Sequence, residues 1–312
     1  MSMLFMRFRR FVLLICLALA AQSAPAAPFT PSDDKQVLER VPVRAGNPRA
    51  RELQALRTAV QREPRNADAA ARLARHWIEN ALADGDPRFV GYAQAALAPW
   101  WNERAPPPAV RVQRAVVHQY VHHFAEALAD LSAVTAAEPD NAEAWAWQAA
   151  IHMVRADYTA ARTACEGLAP LASLLTATAC EGYVDSLTGR AAQAASELGD
   201  ALDLAGKDAS AEERVWALTR LAEIEERRGE WAAAEAAFRG ALSLNVADVY
   251  LLSAYADFLL DRGRAADVLA LLKDRGRADV LLLRLTLAAQ AANDARATQW
   301  ASELSARFDA AR

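Results

Sequence analysis

The fold is decided by residues 215–246, whose sequence is VWALTRLAEIEERRGEWAAAEAAFRGALSLNV. Apolar and small residues recur at helical spacing on both sides of Gly229, and they are Leu218, Leu221, Ala222 and Ile224 before it and Ala234, Phe238, Ala241 and Leu242 after it. A period of 3.6 on each side of one glycine predicts two antiparallel helices joined by a tight turn. Such a short hairpin cannot bury its own apolar face, so it needs neighbouring hairpins.

Similar hairpins recur along the chain. Steps of 34 residues relate Phe124 to Tyr158, Ala115 to Ala149, Gly229 to Gly263, and Ala222 to Ala256. Prolines, glycines and asparagines separate the helical runs. The sequence predicts six to seven hairpins over residues 64–308, preceded by a single helix from Pro48 to about Glu63.

This pattern resembles the tetratricopeptide repeat family. A small residue deep in the first helix of each hairpin is supplied by Ala115, Ala149, Gly182, Ala222 and Ala256. A small residue early in the second helix is supplied by Ala127, Ala161, Ala194 and Ala234, with an aromatic residue one turn later at Phe238. The resemblance implies an all-α, right-handed superhelical solenoid of antiparallel helix hairpins. It also implies that the first helix of each hairpin lines the concave side.

The N-terminus has the pattern of a secretory signal. Three arginines, Arg7, Arg9 and Arg10, precede the apolar run 11–21, which small residues follow. The run is shorter than the roughly 20 residues that span a bilayer. We expect cleavage after Ala20 or Ala26; an uncleaved anchor and lipidation at Cys16 are the alternatives.

These features divide the chain into a signal peptide at 1–26, a flexible lead-in at 27–47 and a helical repeat domain at 48–312. We expect secretion across the inner membrane of a bacterium into the periplasm, with no transmembrane span after cleavage. The net charge of −4 argues against a nucleic-acid partner.

Catalytic motifs are absent from the sequence. It contains no Gly-x-Ser-x-Gly, no glycine-rich phosphate loop and no His-Glu-x-x-His. The many Asp and Glu residues read as polar helix faces rather than the positioned pairs that acid–base chemistry requires. We expect no enzyme activity, no catalytic residue and no cofactor.

The histidines suggest an alternative, a periplasmic metal-handling protein. His118 and His122 stand at i and i+4, a spacing that places two ligands on one helix face. His152 follows His118 by 34 residues and takes the equivalent position on the next hairpin. The competing interpretation is that His118 and His152 fill packing positions, while His122 and His123 lie at a solvated turn.

Two cysteines remain after signal removal, Cys165 and Cys180. Each lies about seven residues from a turn near Ser173, so antiparallel packing places them at the same height. They form either a disulfide, which the periplasm would preserve, or two buried thiols.

The binding face is predicted by counting in steps of four from the small residues of each first helix. The residues that we expect to line the concave groove and contact a partner are Val112, Val116, Tyr120, Tyr183, Leu187, Trp216, Glu223, Tyr250 and Asp257. An exposed apolar stripe marks an interaction site, and the acidic neighbours suit a basic partner segment. We therefore expect a non-enzymatic scaffold that binds a protein or peptide in the envelope. The alternative is that the lead-in or tight superhelical curvature covers the stripe.

Overall fold

The structure, a computed structural model, describes residues 48–310. The predicted signal peptide and lead-in lie outside these residues. Every regular element in the described part is helical, and the α-helices are α1 (Pro48–Arg62), α2 (Ala67–Asp84), α3 (Arg88–Ala96), α4 (Pro108–Tyr120), α5 (Phe124–Ala137), α6 (Ala142–Val154), α7 (Tyr158–Leu168), α8 (Leu174–Leu187), α9 (Ala191–Ala205), α10 (Ala211–Arg228), α11 (Trp231–Ser243), α12 (Val249–Asp261), α13 (Ala265–Leu271), α14 (Asp279–Ala291) and α15 (Ala297–Ala310). The predicted all-α class is confirmed.

From α2 onward, successive helices pack in pairs, giving seven hairpins from α2/α3 to α14/α15. Most first helices also contact the first helix of the next hairpin, as α2 contacts α4 and α10 contacts α12. Helix α1 packs on α2 without a preceding partner among the described residues. The predicted single leading helix and the upper predicted number of hairpins are both confirmed.

The turn inside each hairpin contains one residue with a positive φ. These residues are Gly85 (66°), His122 (61°), Ala156 (57°), Gly189 (92°), Gly229 (78°), Gly263 (68°) and Asn293 (54°). A left-handed residue just after a helix lets the next backbone N–H groups bond to the last free carbonyls of that helix. After Gly229, for example, the Glu230 N–H donates to the Glu225 carbonyl at 2.9 Å. The turn predicted at Gly229 is therefore confirmed.

The positions predicted to need small residues are buried where the two helices of a hairpin cross. Ala115, Ala222 and Ala256 are fully buried on the first helices, and so are Ala127, Ala161, Ala194 and Ala234 on the second. Phe238 is also fully buried. A Cβ at Gly182 would lie 3.6 Å from the Cβ of Ala194, an ordinary contact distance, so this crossing accepts only a small side chain.

Cys165 and Cys180 form a disulfide between the third and fourth hairpins. Cys165 lies on α7 and Cys180 on α8, their Cα atoms are 5.7 Å apart, and the bond closes a loop with a sequence separation of 15. This Cα separation is within the range that a disulfide bridges without moving the backbone.

The helices of the described region are either too short or too polar to cross a bilayer.

Candidate functional site

The first hairpin meets the sixth and seventh hairpins across the concave side. Helix α2 contacts α12, and the α2/α3 turn approaches the starts of α12 and α14. A Cβ built on Gly85 would lie 2.6 Å from the Cβ of Ala278 and 3.3 Å from Cγ1 of Val249. We call this three-residue contact the clasp. It closes the wall of the groove on the side where the ends of the solenoid meet.

The groove inside this wall has a volume of ≈ 1700 Å³. Its lining comes mainly from the first helices α2, α4, α6, α10, α12 and α14, as the resemblance implied. Glu52 of α1, the α2/α3 turn at residues 85–87 and the loop 245–248 complete it. The second helices of the hairpins contribute no lining residue within the described chain.

Five of the nine predicted contact residues line this groove, and they are Tyr120, Trp216, Glu223, Tyr250 and Asp257. Trp216 is 37% exposed and Tyr250 is 50% exposed, so both rings face solvent. Tyr120 is only partly exposed, and burial raises its pKa to about 12. The structure thus brings the predicted residues of α10 and α12 together with Tyr120 of α4.

Val112 and Val116 were predicted wrongly as contact residues. Val112 is 2% exposed and packs with apolar residues of α5 and α6, while Val116 is 1% exposed and packs with those of α2 and α3. Tight packing of neighbouring hairpins covers both side chains, so neither is available to a partner.

Tyr183 and Leu187 of α8 are absent from the groove lining. Leu187 is exposed at the end of its helix, but outside the groove. The Tyr183 hydroxyl accepts a hydrogen bond from Nη2 of Arg227 at 3.0 Å, and the Arg227 guanidinium carbon lies 4.6 Å from the Tyr183 ring centroid. Tyr183 therefore supports groove residues instead of presenting its ring to a partner.

An arginine that the sequence analysis missed lies at the centre of this region. The Arg220 guanidinium carbon is 4.5 Å from the centroid of the Tyr183 ring and 4.8 Å from that of Tyr250, so it is placed between two aromatic faces. Its Nη1 lies 2.9 Å from Oε2 of Glu223. Counting in steps of four passed over Arg220, but its i, i+3 spacing from Glu223 is a recognisable ion-pair signal.

Tyr250 is held in place by the same cluster. Its hydroxyl donates to Oε1 of Glu223 at 2.5 Å. The ring is half exposed, but burial at its hydroxyl is the largest cause of a raised pKa for Tyr250; the Arg220 charge opposes the rise and the Glu223 carboxylate adds to it. The hydroxyl therefore stays protonated, and its ring remains fixed with one face toward Arg220.

Carboxylates predominate in the groove lining. The nine acidic lining residues are Glu52, Glu79, Asp86, Glu212, Glu223, Glu226, Asp248, Asp257 and Asp279, whereas Arg220, Arg227 and Arg284 are the three basic ones. The arginines are already engaged within the protein: Arg284, for example, bonds to both carboxylate oxygens of Asp257, at 2.8 and 2.5 Å.

Several of the acidic residues also pair with arginines behind the lining. Oε1 of Glu226 lies 3.4 Å from Nη1 of Arg262. Burial is nevertheless the largest influence on Glu226 and raises its pKa. Burying a carboxylate among other acidic groups disfavours its charged form, so an added cation in the groove would relieve this cost.

Apolar side chains stand among these carboxylates. The large exposed hydrophobic residues of the groove are Leu82 on α2, Trp216 on α10, Tyr250 on α12 and Val280 on α14. The groove therefore combines an acidic field with an apolar surface contributed by four separate hairpins.

The histidine pair does not share a helix face, so this part of the metal hypothesis was wrong. Helix α4 ends at Tyr120, and His122 lies in the following turn with φ 61°. The His118 ring packs near Trp101 at 4.9 Å between centroids, whereas His122 packs near Phe124 at 5.4 Å. In the described part of the chain, no group of three or more His, Cys, Asp and Glu side chains is arranged to hold a metal ion.

Comparisons with known proteins return similar structures only. No family model matches the chain, and no curated protein matches it. A tetratricopeptide repeat protein from Parabacteroides merdae is 15% identical, with a TM-score of 0.47 over 82% of this chain and 93% of that one. PilW, described as a type IV pilus biogenesis factor, is 18% identical, with a TM-score of 0.48 over 65% of this chain and 94% of that one.

A third similar structure is the C-terminal part of a repeat protein from Cytophaga hutchinsonii, which is 11% identical with a TM-score of 0.39. It covers 79% of this chain and 94% of that one. The seven helix hairpins of the described residues, with small residues buried where their helices cross, give this chain a fold of the tetratricopeptide repeat type.

Proposed function

We propose that this chain is a non-enzymatic scaffold that binds a protein or peptide segment in its concave groove. The observation that carries the proposal is the exposure of Trp216 and Tyr250 inside the concave groove. Exposed aromatic rings in a concave site are typical binding anchors. The cluster of Arg220 and Glu223 holds the Tyr250 ring in position before a partner arrives, which reduces the entropy lost on binding.

The chemistry of the lining favours a segment with apolar and basic side chains. Nine carboxylates against three engaged arginines create a field that attracts cations. Leu82 and Val280 add apolar surface on either side of the clasp. A helix with leucines on one face and lysines on the other matches both properties.

The test uses a fluorescent 12-residue peptide of leucine and lysine in amphipathic order, with a leucine–glutamate peptide of the same pattern as the control. Fluorescence anisotropy should show binding of the lysine peptide, weakening as salt is added because exposed charges are screened. The variant Trp216→Ala should lower its affinity at least tenfold, the equivalent of about 1.4 kcal/mol.

Trp231→Ala is the matched control. Trp231 is 51% exposed but lies on the second helix α11, outside the groove lining. We expect it to leave the affinity unchanged. Equal binding of both peptides, or equal losses in the two tryptophan variants, would contradict the proposal.

We also propose that the scaffold acts in the periplasm. The arginines and apolar run of residues 1–26 support export, and the Cys165–Cys180 disulfide suits an oxidising compartment. A fusion of residues 1–47 to alkaline phosphatase should be active only if the segment directs export. An inactive fusion would contradict this location.

A further inference from the structure

We propose that the clasp makes the groove a passage that admits one polypeptide segment and excludes a folded domain. This inference rests on the proposed binding function and specifies the form of the partner. It follows from the contact of Gly85 with Ala278 and Val249, which joins hairpins that are far apart in the sequence.

Gly85 is suited to the clasp in two independent ways. Its φ of 66° is a left-handed conformation that glycine adopts without strain. In addition, the absent side chain allows the backbone to approach Ala278, since even a Cβ would lie 2.6 Å from the Cβ of that residue. Gly263 has a nearly identical φ of 68°, but a Cβ there would meet nothing within 4 Å. Of these two turn glycines, only Gly85 is thus required for close contact.

The clasp also has buried surroundings. Ala278 is buried and belongs to the same apolar cluster as the core of α12, against which Val249 packs. Helix α2 touches α12 directly. The wall at this point is therefore continuous packing between helices, with Leu82 and Val280 facing the groove beside it.

The volume of the groove sets the size of the occupant. A helix with its side chains is a cylinder about 10–12 Å wide that rises ~1.5 Å per residue, so it occupies roughly 120–170 Å³ per residue. The volume of ≈ 1700 Å³ thus holds about 10–14 helical residues. A folded domain, with at least ~50 residues, does not fit. A partner segment must therefore enter the groove by its free end, or enter it while the clasp is open.

The first experiment measures the clasp without a ligand. Spin labels at Asp84→Cys and Arg277→Cys, in a Cys16→Ser background, report the distance across it; both positions are exposed and adjoin clasp residues. We expect a single short distance. Gly85→Ala should shift the distribution to longer distances, whereas Gly263→Ala should not.

A rescue variant separates contact from backbone strain. Ala278→Gly removes the atom that the new Cβ of Gly85→Ala would strike, so the double variant should restore the short distance. A broad distribution in the unchanged protein, or the same response to Gly85→Ala and Gly263→Ala, would overturn the clasp.

The second experiment tests entry into the groove. The leucine–lysine peptide is compared with the same segment placed between two copies of ubiquitin, joined by flexible Gly-Ser linkers. The flanked segment should associate with the unchanged protein at least tenfold more slowly than the free peptide. Gly85→Ala should remove most of this difference, and Gly263→Ala should preserve it.

The outcomes distinguish the two levels of the proposal. If neither probe binds while the short distance is observed, the proposed function fails and the clasp remains as a structural feature without the inferred role. If both probes bind equally fast to the unchanged protein, binding stands and the inference of a restricted passage is overturned.

Discussion

Val116 on α4 and Asp257 on α12 occupy the same place in the repeat, one residue after a buried alanine. Val116 is 1% exposed and part of the core, whereas Asp257 is exposed in the groove. Both were predicted to face the concave side. The comparison shows that repeat register sets the direction of a side chain, and that packing between hairpins decides whether solvent reaches it.

The N-terminal hairpins are drawn together on their inner side. The Arg75 side chain of α2 pairs with Glu143 of α6, bridging across α4 between them. Gln113 of α4 donates to the same carboxylate at 2.9 Å. These contacts tie three first helices together, and the valines of α4 are buried against apolar residues of the neighbouring helices. Around α10 and α12, by contrast, aromatic rings are left facing the groove.

The largest expected effect on the free energy of unfolding comes from exchanging polar and apolar residues at positions 116 and 257. Val116→Asp would bury an unpaired carboxylate and should lower the free energy of unfolding by about 4 kcal/mol. Asp257→Val removes only a partly exposed ion pair with Arg284, so it should change the free energy of unfolding by less than ~1 kcal/mol. Urea denaturation measures both free energies of unfolding. Similar losses of stability in the two variants would contradict the difference in burial between the two positions.

Removing the disulfide between the third and fourth hairpins should have the next largest effect on stability. Replacing Cys165 and Cys180 together by serine should destabilise the protein by about 3 kcal/mol, the entropic value for a loop of this length. In a Cys16→Ser background, denatured and unreduced protein should contain no titratable thiol. Two titratable thiols would contradict the bond.

Sequence reasoning identified the hairpins because each depends on local signals. The buried alanines, the turn at Gly229 and the repeat of 34 are all visible within two neighbouring hairpins. The covering of Val116 and the clasp at Gly85 depend instead on contacts between distant hairpins, and these follow from the accumulated curvature of the solenoid. No short stretch of sequence encodes that curvature. Five of the nine predicted contact residues therefore line the groove, whereas the two valines are buried in the core.

Substitutions in the hairpin turns should have smaller effects on stability, and they compare the N-terminal hairpins with the C-terminal ones. Ala156 holds a φ of 57° in the third hairpin, where the C-terminal turns use Gly229 and Gly263. A left-handed conformation costs a residue with a Cβ about 1–2 kcal/mol. Ala156→Gly should therefore raise the free energy of unfolding by about 1 kcal/mol, less than the full strain because glycine also increases the entropy of the unfolded chain.

Gly263→Ala is the reciprocal change at a turn with open space around it. It should destabilise by about 1 kcal/mol. Thermal denaturation of the two variants should give shifts of opposite sign, and a loss of stability in Ala156→Gly would show that the turn is not strained.

The smallest expected effect is on the pH dependence of stability, through two histidines of the N-terminal hairpins. Burial lowers the pKa of both His118 and His152 below the ordinary histidine value. Arg114 and His123 lower the pKa of His118 further, while Asp130 and Glu126 oppose the shift. For His152 the corresponding neighbours are Arg155 and Asp157.

The native state then binds fewer protons at these sites than the unfolded chain does. Stability should be fully present above the ordinary histidine pKa of about 6.5 and decline as the pH falls through that value toward the lowered native pKa. His118→Gln with His152→Gln should flatten the decline between about pH 7.5 and 5.5. An unaltered slope in the double variant would contradict the assignment.

The most direct test of the open C-terminal groove is radical footprinting of side chains with and without a saturating leucine–lysine peptide. Mass spectrometry reads the oxidation of each aromatic residue. We predict that the peptide protects Trp216 and Tyr250, which line the groove, and leaves the oxidation of Trp231 on the outer helix α11 unchanged. Unchanged oxidation of Trp216 and Tyr250 by bound peptide would contradict the groove as the binding site.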